Sequence, residues 1–132
     1  MMIDSQHAFA SWFLWVSAVG FSLAFALPLL FVPLAWARIF QWRVPEETHL
    51  TIYFGRCVGA LAATITLFAM RAAIHPTEHR EMLEFIAVAC GLMTVLHIWG
   101  AVRRMQPWTE TVEIGLYAAM AGLSYAALQS LG

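Results

Sequence analysis

Polar residues fall in clusters along this chain, and between the clusters run four apolar stretches of bilayer length. The first run starts near Ala8 and continues to Ala37, longer than the roughly 20 residues that a hydrocarbon core of about 30 Å requires. Pro28 and Pro33 divide it, predicting a span over 8–27 followed by a short interfacial helix within 34–42. Trp36, Arg38, Trp42 and Arg43 suit that level, where indoles and snorkelling arginines anchor. The second span is expected over 50–70, after the polar Pro45 to His49; the third over 83–102, ending before Arg103 and Arg104; the fourth over 112–131, entered through Pro107 and Trp108. The pattern therefore predicts an all-α integral membrane bundle of four transmembrane helices in a single domain.

Two stretches carry small residues at helical spacing. Gly55, Gly59 and Ala63 recur every fourth position in the second span, and Gly115, Ala118, Ala119 and Gly122 share a face of the fourth. Such faces let helix backbones approach closely. A fourth helix that is polar on one side and small on the other is expected to pack on both sides, which points to a homo-oligomer or a partner membrane protein.

Composition agrees with the pattern. Of the 132 residues 61% are hydrophobic and 11% charged, which makes the lipid bilayer the expected solvent. A net charge of −1 with no basic run speaks against nucleic acid, whose phosphates call for clustered cations. All seven cations are arginine. Arg38, Arg43, Arg103 and Arg104 flank one side of the predicted membrane and Arg71 and Arg80 the other, an asymmetry that favours both termini outside. Ala24-Phe25-Ala26 could mimic a signal-peptidase site, but no lysine or arginine precedes the run and the run continues past it, so no cleaved signal is expected.

The ionisable residues inside the spans are the candidate chemistry, because each is costly in lipid. Arg56, His97 and Glu113 share a depth, roughly 7 to 9 Å below the arginine-rich surface at 1.5 Å per residue. Each stands on the polar stripe of its helix: His49, Tyr53, Arg56, Ala60 and Thr64 on the second; Cys90, Thr94, His97 and Ala101 on the third; Glu110, Glu113, Tyr117, Met120 and Ser124 on the fourth. One reading is a structural tie in which Glu113 neutralises Arg56 and His97 completes the hydrogen bonding. The other is a ligand or catalytic site, with His97 and Glu113 exchanging protons, Arg56 holding an anionic or carbonyl group, and Tyr53 and Tyr117 lining it. Glu46, Glu47 and Glu110 read as interfacial carboxylates beside arginines.

Other signals add little. His75 and His79 are spaced i, i+4 around Pro76, but two histidines at a fraying helix start do not close a metal site, and none is assigned. Cys57 and Cys90 lie at different depths without redox or metal spacing and read as packing residues.

Pro33-Leu34-Ala35-Trp36, Gly55-Arg56-Cys57-Val58-Gly59-Ala60, and Gln106-Pro107-Trp108-Thr109-Glu110 continuing to Glu113 resemble the small four-span bacterial families typified by BphX-like and DoxX-like proteins. That resemblance implies a protein of the bacterial inner membrane, with DoxX-like members linked to quinone-coupled redox modules. Arg56 followed by Arg71 and His97 also resembles the ergosterol-biosynthesis scaffold family, whose members tether membrane enzymes. The expectation is a non-enzymatic accessory or scaffold subunit with no cofactor beyond a bound lipid or quinone. The alternative is a membrane-embedded enzyme or carrier for a quinone, isoprenoid or sterol-like substrate using Arg56, His97 and Glu113. A proton-coupled transporter would use the same charges but needs an oligomer to enclose a pathway.

Overall fold

The computed structural model describes residues 2–132. These residues form helices without strands, and four of the helical stretches are long and apolar enough to cross a membrane: Ala8–Phe31, His49–Ile74, Arg80–Val102 and Trp108–Gln129. The first span comprises α1 (Ala8–Phe21), a π-helical turn (Ser22–Ala26) and α2 (Leu27–Phe31); a short α3 (Pro33–Ile39) follows. The other three spans are α4 (His49–Ile74), α5 (Arg80–Val102) and α6 (Trp108–Gln129). They run up and down as two hairpins. The first span packs along α4 and α5 along α6, and the hairpins meet through α1 against α6 and a brief α4–α5 contact.

Pro28 does not end the first span, as the sequence suggested; the helix runs on to Phe31 and breaks at Val32 (φ −134°, ψ 53°), the residue before Pro33. Two features carry the helix through Pro28. The π turn just before it resets the hydrogen-bond register. The Ala24 carbonyl, which loses its usual donor because proline has no N–H, instead accepts the Trp36 indole N–H at 2.9 Å. The residue before proline is pushed towards extended conformations, which explains the break at Val32.

Within the first hairpin the close approach is made by glycine. A Cβ at Gly59 would lie 2.7 Å from Leu30 Cα and 2.8 Å from the Leu29 carbonyl carbon, and one at Gly55 would lie 2.6 Å from Pro33 Cβ. The small stripe of the second span therefore makes the close helix approach that its spacing predicts, and the helix it meets is the first span. At the end of the bundle bearing the chain termini, Ala10, Phe13, Leu14, Ala72, Ala73, Leu83, Ile86, Ala127 and Leu131 make the apolar core, with all four spans contributing. A buried serine closes each hairpin there: within the first, Ser11 Oγ donates to the Ala73 carbonyl (2.6 Å), and within the second, Ser124 Oγ donates to the Leu83 carbonyl (2.8 Å). In front of α1, Asp4 pairs with the His7 ring and accepts from the Gln6 and His7 backbone N–H groups, which holds its carboxyl below the usual range.

The opposite end is polar and rests on a turn. After α3 the chain closes in a Schellman arrangement, with Gln41 N–H donating to the Arg38 carbonyl, Trp42 N–H to the Ala37 carbonyl, and Gln41 in the left-handed region (φ 63°). This reversal carries the Gln41 and Trp42 side chains to the start of α6. Gln41 Oε1 accepts the Trp108 indole N–H at 2.8 Å, and the Phe40 carbonyl accepts Thr109 Oγ at 2.6 Å.

Candidate functional site

The polar end of the second hairpin holds a cluster of His97, Glu110 and Glu113, all buried, whose ligating atoms lie within 4.8 Å of one another. Periodicity places them. Glu110 and Glu113 are one turn apart on the same face of α6, and that face meets α5 where His97 points inward.

Each bond in the cluster has a definite direction. The Met93 carbonyl lies 2.7 Å from His97 Nδ1 and can only accept, so Nδ1 carries a proton. That leaves Nε2 turned to the carboxylates, 3.1 Å from Glu110 Oε2 and 3.8 Å from Glu113 Oε2. The other Glu110 oxygen accepts the Trp42 indole N–H at 2.8 Å. Beneath the cluster the Tyr117 ring packs on the imidazole with centroids 4.9 Å apart, and its hydroxyl stands next to Glu113.

Of the residues singled out from sequence, His97, Glu113 and Tyr117 come together; Arg56 and Tyr53 do not. Both lie on the exposed face of α4, and among the described residues Arg56 makes no ion pair. The expected tie between Arg56 and Glu113 is thus replaced by one between His97 and Glu110. The cause lies in α4 itself. Its small face, centred on Gly55, Gly59 and Ala62, stands roughly 140° around the helix from the Arg56 stripe at 100° per residue, so packing the glycines against the first span turns Arg56 outward.

Glu110 is the residue that sequence reasoning misplaced. Read as an interfacial carboxylate, it is 8% exposed, because Trp42 folds back over it from the α3 turn. Trp42, read as a lipid anchor, is only partly one. The i, i+3 pairing of Glu110 with Glu113 on the polar stripe was the signal that could have included it. His75 and His79 lie in and beside a turn rather than on a helix, so the i, i+4 geometry does not arise, and His79 pairs instead with Glu81 at 3.3 Å.

Chemically, two carboxylates and one imidazole buried together can share protons or hold a cation. No family model, curated protein or solved structure matches the chain in comparisons with all three.

Proposed function

We propose that this protein is an accessory or scaffold subunit of the bacterial inner membrane that packs against other membrane proteins or further copies of itself. The observation that carries this reading is the outer face of α6. Gly115, Ala118, Ala119 and Gly122 are exposed, and a Cβ added at Gly115 or Gly122 meets nothing within 4 Å. In lipid, association rests on close van der Waals packing, and small residues are what permit it. In the first hairpin the same device is satisfied internally at Gly59; on α6 it has no partner among the described residues. Arg56, outward on α4, supports the same reading, since charged side chains in spans are usually matched by a partner unless they reach the headgroups.

The test is the double variant Gly115→Leu with Gly122→Leu. Because both positions are open, the chain should fold and insert normally while in-membrane crosslinking to itself or to copurifying proteins falls away. Unchanged crosslinking, or a chain that is monomeric and solitary to begin with, would refute the proposal.

The second reading, a carrier or enzyme acting on a lipophile, is favoured by the burial of His97, Glu110 and Glu113 together. It predicts a folded protein in which His97→Gln abolishes lipophile binding while the leucine pair leaves it unchanged.

A further inference from the structure

We propose that His97, Glu110 and Glu113 form a binding site for a divalent transition-metal cation, Zn²⁺ or a borderline relative such as Co²⁺ or Fe²⁺. The inference goes beyond the scaffold reading and does not depend on it.

The first argument is the direction of the imidazole. His97 Nδ1 is committed as donor to the Met93 carbonyl, so in the neutral ring Nε2 presents a lone pair. That lone pair faces Glu110 Oε2 and Glu113 Oε2, which in the carboxylate form are also acceptors. In the metal-free protein a proton between Nε2 and Glu110 Oε2 makes the 3.1 Å hydrogen bond, and a cation can take that proton's place among the three converging ligand atoms. A ring N–H donating to a backbone carbonyl, with the other nitrogen presented to the centre, is how metal-ligating histidines are oriented.

Distance is the second argument. For a tetrahedral ion with bonds of about 2.1 Å the ligand atoms stand roughly 3.4 Å apart. The observed separations from Nε2, 3.1 Å and 3.8 Å, bracket that value. The third edge, between the two carboxylates, lies within 4.8 Å, so the glutamate side chains would close in around the ion.

The third is charge. A neutral imidazole with two ionised carboxylates would carry −2, which one divalent cation cancels in place of the two protons that would otherwise be needed. The surroundings fit as well. Trp42 holds the second Glu110 oxygen at 2.8 Å, as an outer partner orients a metal-binding carboxylate, and Tyr117 closes the floor beside Glu113. Glu110 sits in the first turn of α6, so the route from the aqueous edge is short. The nitrogen ligand disfavours Mg²⁺ and Ca²⁺, which prefer all-oxygen shells. Three protein ligands leave a fourth position for water or another molecule.

Purified protein, stripped with EDTA and then exposed to Zn²⁺ or Co²⁺, should bind one equivalent per chain, with Co²⁺ giving the visible absorption of a low-coordinate nitrogen and oxygen site. His97→Gln and Glu113→Gln should each weaken Zn²⁺ by at least about tenfold, and Trp42→Phe by about 10- to 100-fold. Helicity and elution volume serve as folding controls, and if one ligand variant fails to fold, the other carries the comparison alone. His75→Gln with His79→Gln should leave binding unchanged. The proposal is overturned if the stripped wild type takes up neither ion, if both ligand variants bind like wild type, or if the His75 and His79 variant is the one that loses the metal. Metal stoichiometry reads this site independently of the crosslinking that tests assembly.

Discussion

Glycine at position 59 shows how a single residue sets the geometry of a membrane hairpin. Its missing Cβ is where the Leu29–Leu30 backbone runs, and the nearest atoms are main chain, which cannot swing aside. Gly59→Ala should therefore push the first span away and lower the melting temperature in detergent, by the equivalent of about 1 to 3 kcal/mol as overpacked cores do. Gly91 offers the contrast, since a Cβ there meets nothing within 4 Å and Gly91→Ala should match wild type or slightly exceed it through helix propensity. Equal behaviour of the two variants in a thermal shift series would mean that the contact at Gly59 is not tight. The spacing of Gly55, Gly59 and Ala63 made this face legible from sequence, because in lipid only small residues bring helices this close.

At the level of elements, the informative unit is the α3 turn with the start of α6. Sequence showed an interfacial helix after a proline break, and that is present. What could not be read was the left-handed turn at Gln41, because neither Gln41 nor its neighbours is the glycine or asparagine that announces such a cap. Without the turn, Trp42 reads as a lipid anchor and Glu110 as a surface carboxylate. With it, the two meet at 2.8 Å and Glu110 becomes the partner of His97. Counting residues along a span gives depth for Arg56, His97 and Glu113, but depth does not fix direction, and Arg56 was lost to the stronger claim of the glycine face. A pair of double-mutant cycles separates the two arrangements. In EDTA-treated protein, His97→Gln with Glu110→Gln should show a coupling of about 0.5 to 3 kcal/mol, whereas Arg56→Met with Glu113→Gln should be additive to within about 0.5 kcal/mol. Coupling in the second cycle and not the first would restore the ion pair that the geometry dissolves.

Viewed whole, the molecule is asymmetric from one membrane face to the other. One end is closed by the apolar core and two serine hydrogen bonds, the other by an indole, an imidazole and two carboxylates. Four spans were legible because each is a long apolar run between polar breaks, and an even number of spans returns both termini to one side. Which side that is rests on charge. The polar end carries Arg38, Arg43, Arg103 and Arg104, and the core end carries Arg71 and Arg80. Arginine is retained on the cytoplasmic side, so in the bacterial inner membrane proposed above the polar end should face the cytoplasm and both termini the periplasm. The metal proposal gives this assignment a consequence, since His97, Glu110 and Glu113 would then draw their cation from the cytoplasm. Reporters fused after Gly132 should be active only in the periplasmic form, and Arg38→Gln with Arg43→Gln and Arg104→Gln, which leave Arg103 against Arg71 and Arg80, should shift a measurable share of the chains to the opposite orientation. A carboxy-terminal fusion active in the cytoplasm would reverse the assignment and place the cluster at the periplasmic face, leaving its internal geometry unchanged.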